Sequence, residues 1–302
     1  MSHYDFSLRQ IQYAVAVADL KSFRRAADRC NVSQPSLSAQ VAEIEASLGV
    51  QLFERDRRGV MVTTAGTELI ERMRRVLVET DDLSKAARRF VDPMAGTLRI
   101  GVIPTIGPYL LPAAAASLRK ELPRLALAWL EDKTEALVRR VRRGDLDGAL
   151  LALESDIGDL SYETIRQDPF VLAIPRDHRL GRSSAPVPFS RLRGKRILLL
   201  DEGHCFRDQV IDLCRGRGIE EHGFRATSLP TLVQMACANM GITLLPLISV
   251  PTETLRSDLV TRPIARPQPY RTIVLAWRRQ SALSEAMREI ARTIRIAVQD
   301  IT

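Results

Sequence analysis

The chain has four cysteines, Cys30, Cys205, Cys214 and Cys237. They form no CxxC pair and no metal-ligand rhythm, so neither a secreted disulfide scaffold nor a zinc site is expected. Cys205 stands in the motif Asp201-Glu202-Gly203-His204-Cys205-Phe206-Arg207-Asp208-Gln209, and Cys214 follows nine residues later. Gly203 closes an apolar strand and opens a helix, which puts Cys205 near a helix N-terminus beside His204 and Arg207. A helix dipole and neighbouring positive charge both favour the thiolate, the nucleophilic form of cysteine. Cys205 is therefore the more reactive candidate of the two. His204 could instead be a packing residue, and the two cysteines could be unrelated buried thiols. The residues alone leave both alternatives open.

Geometry limits how the two thiols could meet. On one unbroken helix, nine residues give about 13–14 Å of rise and nearly opposite faces. A disulfide needs Cα atoms within about 7 Å. Either a loop lies between them or a bond forms only after local unfolding, which Gly216 and Gly218 would ease. Cys30 in a short helix is expected to be a buried structural thiol, and Cys237 in the apolar stretch Leu232–Ala238 a structural one.

A second set of polar groups lies near the N-terminus. Leu8, Ile11, Val15 and Ala18 follow helical spacing, and Phe23–Cys30 reads as a short helix with Ala26 and Ala27 on a close-packing face. Asn31-Val32-Ser33 breaks it. Ser33 is a good N-cap and Pro35 is tolerated in the first turn of the next helix. Leu37, Val41, Ile44 and Leu48 give that helix one buried stripe, ended by Gly49. This is a helix-turn-helix pattern. Its second helix presents Gln34, Ser36, Ser38 and Gln40 near an N-terminus that itself favours phosphate. Leu52–Val62 reads as a two-stranded wing whose Arg55, Arg57 and Arg58 suit a nucleic-acid backbone or minor groove. An ordinary helical hairpin with a polar face is the competing reading.

The remaining chain must position these groups. Residues 64–90 read as a long helix with an apolar seam of Leu69, Met73, Val76, Leu77, Leu83 and Phe90, which calls for a partner helix. Residues 92–96 are a linker. Beyond it come strand 98–102, helix 110–122, strand 125–130, helix 135–143 and strand 148–153. That βαβαβ series implies an α/β fold with a largely parallel sheet. A second series begins near Phe170 and contains the strand 196–200, while 271–277 and the C-terminal helix are expected to return to the first lobe.

Composition sets bounds. The 302 residues are 45% hydrophobic, enough for a sizeable core and too many for a disordered chain. Of the net charge of +8, residues 1–95 supply +1 (14 Lys+Arg, 13 Asp+Glu) and residues 96–302 supply +7 (30 and 23). Nucleic-acid contact by the N-terminal part would rest on a local patch, not bulk charge. No stretch approaches the ~18 apolar residues of a membrane helix. The N-terminus lacks a secretory pattern, since Ala14–Ala18 is short and flanked by Gln12 and Asp19. The expectation is a cytoplasmic chain, without membrane contact, metal or cofactor, in which a disulfide would be transient and regulatory.

Residues 1–90 resemble the winged helix-turn-helix and linker helix of LysR-type transcriptional regulators. The resemblance rests on Phe23, Ala26-Ala27, Val32-Ser33-Gln34-Pro35, Leu37-Ser38, Ile44-Glu45, Leu48-Gly49, Leu52-Phe53-Glu54-Arg55 and Thr64-Ala65-Gly66. It extends over the α/β part and implies that Ser33, Gln34, Pro35 and Ser38 sit at double-stranded promoter DNA, beside Ser36, Arg55 and Arg57. It also implies that residues 64–90 pair two subunits. Within that family the chain looks most like the hydrogen-peroxide-sensing activators, through Gly203–Gln209, Cys214, Phe224–Leu229, Ile103–Pro112 and Gly241–Pro246. The segment Arg215–Gly223 departs from them.

This narrower resemblance implies that Cys205 is the peroxidatic and Cys214 the resolving cysteine. Thr105, Thr134, His204, Asp208 and Arg271 would form the peroxide pocket. It implies a homotetramer, a dimer of dimers, that is not an enzyme. Such an assembly would activate antioxidant genes through RNA polymerase and be reset by thiol reductants such as glutaredoxin or thioredoxin. The domain plan that follows is a winged helix-turn-helix over 1–63 and a dimerising helix and hinge over 64–96. A two-lobed α/β regulatory domain, periplasmic-binding-protein-like with two parallel-rich sheets, would occupy 97–302. Lobe I would take about 97–168 plus 268–302, and lobe II about 169–267. A LysR-type regulator with inert cysteines and an organic effector between the lobes is the nearest rival. A thiol peroxidase and a periplasmic solute-binding protein fit less well, because neither explains the helix-turn-helix.

Overall fold

The computed structural model describes residues 5–56, 59–89, 96–255 and 257–299. The chain divides into two compact units, residues 1–87 and 88–302.

In the first unit, helix α1 (Leu8–Leu20) opens on a reciprocal cap. Ser7 Oγ accepts from the Gln10 amide at 3.2 Å, and Gln10 Oε1 accepts from the Ser7 amide at 2.7 Å. Helix α2 (Phe23–Arg29) starts at Ser22, and α3 (Gln34–Leu48) starts at Ser33 and ends at Gly49 with φ +66°. Ala14, Ala26 and Ala27 are buried and small enough for close helix approach, while Leu37, Val41 and Ile44 point α3 into the same core. Glu45 on α3 fixes what comes next. Its Oε1 accepts the backbone N–H of Leu52 at 2.7 Å and of Phe53 at 3.1 Å. That anchors the hairpin of β1 (Phe53–Asp56) and β2 (Gly59–Val62), whose register sets Phe53 opposite Val62. Helix α4 (Thr64–Arg89) follows, and a Cβ on Gly66 would stand 2.3 Å from the Leu52 carbonyl, so only glycine lets α4 start this close to the wing.

The second unit runs β3 (Gly96–Val102), α5 (Gly107–Glu121), β4 (Leu125–Glu131), α6 (Thr134–Arg142), β5 (Gly148–Ala152) and β6 (Ser161–Pro175). It continues with β7 (Arg196–Leu200), α7 (Cys205–Cys214), β8 (Glu220–Ala226), α8 (Leu229–Cys237) and β9 (Thr243–Pro246). The last elements are α9 (Val250–Glu253), β10 (Leu259–Pro263), β11 (Tyr270–Trp277) and α10 (Ser284–Ala297). Helix α5 begins three residues before the expected Leu110, because Pro108 is suited to a first turn.

The main sheet has the order β10-β6-β11-β5-β3-β4, with β9 also on β6. Parallel pairing is held to β4-β3-β5 and to the separate pair β7-β8. Strands β6 and β11 bring antiparallel pairing into a sheet whose sequence reads as largely parallel. Strand β11 lies between β5 and β6 and pairs antiparallel with both. The fifteen residues of β6 serve both lobes. Ser161–Pro169 pair with β11, and Phe170–Pro175 pair with β9 and β10. Its burial changes accordingly, from alternating in the first half to continuous in the second, where both faces are covered. Helix α10 buries Met287, Ile290 and Ile294 and packs on α5, returning the chain to lobe I. No helix among the described residues is long and apolar enough to cross a membrane.

Glu45→Ala removes two charge-assisted bonds from the start of the wing. It should cost about 1.5–3 kcal/mol locally, read as faster hydrogen exchange at the Leu52 and Phe53 amides with the α1 amides unchanged.

Candidate functional site

Cys205 and Cys214 are the first and last residues of α7, and that helix is unbroken. Of the two routes to a disulfide left open above, an intervening loop is therefore absent. The thiols are free, Cys205 half-buried and Cys214 buried. Nine residues of helix hold them about 13–14 Å apart along the axis and on opposite sides. Phe206, Val210 and Cys214 form the buried stripe of α7. Cys214 lines a cavity of about 250 Å³ with Ile197, Leu199 and Ile211. Burial pushes its thiol up to about 11, against the opposing pull of Arg217.

The stripe rests on a buried ion pair. Phe206 meets Phe170 edge-on at 5.1 Å, and the Arg271 guanidinium carbon lies 5.7 Å from the Phe206 ring centre. Arg271 and Asp168 are both fully buried, with Nε to Oδ2 at 3.0 Å. Arg271 also donates from Nη1 to Thr105 Oγ1 at 2.7 Å and from Nη2 to the Thr105 carbonyl at 2.8 Å. The other carboxylate oxygen of Asp168 accepts the Ile248 amide at 2.9 Å. Thr105 from the β3–α5 turn, Asp168 and Arg271 from β6 and β11, and Ile248 from beyond β9 thus converge on one ion pair. Thr105 and Arg271 were expected at the site. Asp168 was not singled out, although an acid directly ahead of the apolar run of β6 is a signal for a buried partner.

The start of α7 differs from expectation in its charge. His204 is buried at the N-cap position with no side-chain cap bond. Burial, then Lys133, holds its pKa below the usual value, with Asp201 opposing. Burial and Lys133 thus disfavour the charged imidazolium expected beside Cys205. Arg207 is answered by Glu221 at 3.1 Å and by Asp208 at 3.8 Å. Asp208 itself is exposed and stands outside the buried cluster, contrary to its expected place in the pocket. The cation that does reach this turn is Lys133, whose Nζ donates to the Glu202 carbonyl at 2.5 Å. A Cβ on Gly203, at φ +82°, would lie 2.9 Å from Lys133 Cδ. Thr134 Oγ1 and both polar atoms of Gln209 are buried without a hydrogen-bond partner. Each is a buried polar group whose hydrogen-bonding capacity is unused.

In the first unit, Ser33 Oγ accepts the Ser36 amide at 3.4 Å, and Gln34, Pro35 and Ser36 are exposed at the N-terminus of α3. Ser38 is half-buried. Gln40 is not free to reach outward as expected, because its amide donates to Glu43 at 2.7 Å, a carboxylate that Gln10 also holds at 2.9 Å. Arg55 lies in β1, but its side chain, and all of Arg57 and Arg58, fall outside the described residues. Along α4 the seam residue Met73 is buried in the unit's own core, while Val76 and Leu83 are exposed. Phe90 and linker residues 92–95 lie outside the described residues. Cys30 is half-buried where burial is expected from the sequence, and Cys237 is half-buried too, each at the end of its helix.

Two family models match the chain. A bacterial regulatory helix-turn-helix protein model of the lysR family covers residues 8–67, and a LysR substrate binding domain model covers residues 91–299. The chain belongs to the LysR family. It is therefore a member of a family of DNA-binding transcription regulators, with the helix-turn-helix head and two-lobed α/β body expected from its sequence. The hydrogen peroxide-inducible genes activator of Pectobacterium carotovorum subsp. carotovorum is 42% identical over 97% of this chain and 97% of its own length. The DNA-binding transcriptional dual regulator OxyR of Escherichia coli (strain K12) is 41% identical over 96% and 95%. Among solved structures, a full-length OxyR variant from Pseudomonas aeruginosa aligns with TM-score 0.80 at 32% identity, over 97% of this chain and 96% of that one. A hydrogen-peroxide-bound OxyR mutant from Corynebacterium glutamicum aligns with TM-score 0.67 at 32% identity, over 99% and 95%.

Two predictions follow from this LysR-family geometry. Arg271→Met leaves Asp168 buried without a cation and should cost about 3–5 kcal/mol in urea unfolding, most of it recovered by adding Asp168→Asn. The Cys214 thiol should make stability fall as pH rises between its ordinary 9.0 and about 11. In that window the unfolded thiol has lost its proton while the folded one keeps it, and stability drops wherever the folded state binds more protons. Unfolding free energies of the wild type and Cys214→Ala should converge across that window.

Proposed function

We propose that this chain is a hydrogen-peroxide-responsive regulator whose switch is helix α7. The observation that carries the reading is the placement of two free thiols at opposite ends of one unbroken ten-residue helix. Its relatives' names support the stimulus.

In the first step the Cys205 thiolate attacks one oxygen of peroxide. The S–O bond forms, the O–O bond breaks, and the departing hydroxide takes up a proton and leaves as water. Cys205 is oxidised to a sulfenic acid while the peroxide is reduced. Thr105 Oγ1 accepts from Arg271, which leaves its own hydroxyl proton to donate to the leaving oxygen. Thr134 and His204 are further donors. In the second step the Cys214 thiolate attacks the sulfenic sulfur. The S–S bond forms, the S–O bond breaks, and hydroxide again leaves as water.

The order of events is built into α7. While the helix is folded, Cys214 is buried and its thiol holds its proton to about 11. Unwinding both brings it within reach and returns it to solvent, where the thiolate forms more readily. Once the disulfide closes, α7 cannot re-form, and Phe206 loses its fixed place against Phe170 and Arg271. The covalent bond thereby biases a two-state element of the regulatory domain.

The wider assembly follows the same reading. Residues 1–63 read promoter DNA through Ser33, Gln34, Pro35, Ser36 and Ser38, with Arg55 and Arg57 on the backbone. Residues 64–96 pair subunits through the exposed Val76 and Leu83, and residues 97–302 sense. A cytoplasmic dimer of dimers would then engage RNA polymerase at antioxidant genes, and glutaredoxin or thioredoxin would reduce it again. The chain needs no cofactor for any of these steps.

Peptide mass spectrometry of the reduced protein after equimolar peroxide should find a Cys205–Cys214 disulfide, with Cys30 and Cys237 free. Cys205→Ser should lose the response and keep DNA binding. A Cys205 that stays a free thiol while a control sensor oxidises would end the redox reading and return attention to an effector between the lobes.

A further inference from the structure

Residues 176–196 of lobe II carry seven Lys and Arg and one acid, Asp177. Arg176 is answered by Asp258 at 3.7 Å. The other six, Arg179, Arg182, Arg191, Arg193, Lys195 and Arg196, are exposed and form no ion pair with a described carboxylate. Charge of one sign at this density is not needed to fold two short turns, Arg179–Arg182 and Phe189–Leu192.

The fold draws these cations together. The Gly194 amide donates to the Gly218 carbonyl at 2.7 Å, which seats the segment against the loop after α7. The Arg193 stem lies beside Gly218, and the Arg217 guanidinium sits 4.5 Å over the Phe189 ring. At the other end His178 feels the field directly. Burial, then Lys195 and Arg179, holds its pKa below the usual value.

An apolar hollow opens at the edge of this patch. A cavity of about 560 Å³ is lined by Phe170, Phe189, Leu213, Pro267 and Tyr270, with Arg217 among its walls. Tyr270 is 48% exposed, a large aromatic surface left uncovered at the mouth. The cavity lies within the size range of sites that take a bulky side chain or a small ligand.

We propose that this face of lobe II docks an acidic segment of another protein, with one bulky apolar side chain of that segment filling the cavity. Unpaired cations steer an acidic partner and set its on-rate, while a buried aromatic or aliphatic anchor supplies affinity. Nucleic acid fits the surface less well. Base edges are read by hydrogen bonds, and Pro188, Pro267 and Pro269 around the hollow offer no N–H. One wall of the hollow, Asp212 and Leu213, belongs to α7. Docking should therefore respond to the disulfide, a consequence that rests on the redox reading above.

The test uses the full reduced chain and a fluorescein-labelled acidic peptide of Glu and Asp with one central Trp, followed by fluorescence anisotropy at low salt. Saturable binding is expected. Arg193→Glu with Lys195→Glu should weaken it about tenfold, and the neutral pair Arg193→Gln with Lys195→Gln by less. Exchanging the peptide's Trp for Ser, or Phe189→Ala in the protein, should weaken it about fivefold. Unchanged thermal unfolding would show that each variant is folded. Binding indifferent to the charge reversal, or to loss of the Trp, overturns the proposal. So does displacement of the peptide by scrambled single-stranded DNA that itself needs Arg193 and Lys195, which would make the face a nucleic-acid surface. Peroxide treatment should shift the peptide's affinity in the wild type and not in Cys205→Ser. Equal affinity in a chain shown to carry the disulfide removes the coupling. A chain that forms no disulfide removes the redox reading and leaves the docking result standing.

Discussion

The buried pair of Arg271 and Asp168 is the constraint around which the regulatory unit is arranged. Removing a guanidinium and a carboxylate from water costs several kcal/mol per ion, and is tolerated only where the remaining donors and acceptors are met. Here they are met by one threonine, through its hydroxyl and its carbonyl, and by one backbone amide. Those partners come from the β3–α5 turn and from the segment after β9, so the pair cannot be satisfied unless both lobes are in place. Its charge also faces the Phe206 ring. Helix α7 is therefore seated on a buried, fully bonded ion pair.

Helix α7 is the opposite kind of structure. Ten residues are too few for a helix to be stable alone. Its first residue is Cys205, and its N-cap, His204, gives no side-chain bond to the free amides of the first turn. What holds it is the stripe of Phe206, Val210 and Cys214 in the core. Loss of one anchored side chain would shift its balance, and Cys214 is both an anchor and, in the proposed switch, the resolving thiol. Under the proposed function, a fixed seat under a marginal helix would keep the switch quiet until chemistry acts on it.

Local signals were legible in the sequence. Ser33, Pro35 and Gly49 mark the ends of α3, and Gly203 marks the opening of α7, because caps and turns are set by neighbouring residues. The arithmetic of nine residues on a helix needed no coordinates either. Charge at the site was not legible. His204 looked like a cation beside Cys205 until its burial and the approach of Lys133 from another strand–helix turn were known. Gln40 looked free, and Glu43 holds it. Asp168 lies 103 residues from Arg271, and no periodicity links positions that far apart. The antiparallel course of β6 and β11 was hidden for the same reason, since pairing direction depends on how the chain returns.

The double duty of β6 has a consequence for how the regulatory unit comes apart. A single strand supplies Ser161–Pro169 to one lobe's ladder and Phe170–Pro175 to the other's. Pulling it out would strip both sheets at once, so neither lobe has a private route to denaturation. The two halves behave as leaves threaded on one pin: they can flex about it, but they are made and lost together. Damage to either is shared, whereas an element off the pin, such as α7, takes no part in that ladder and its loss would leave both sheets paired.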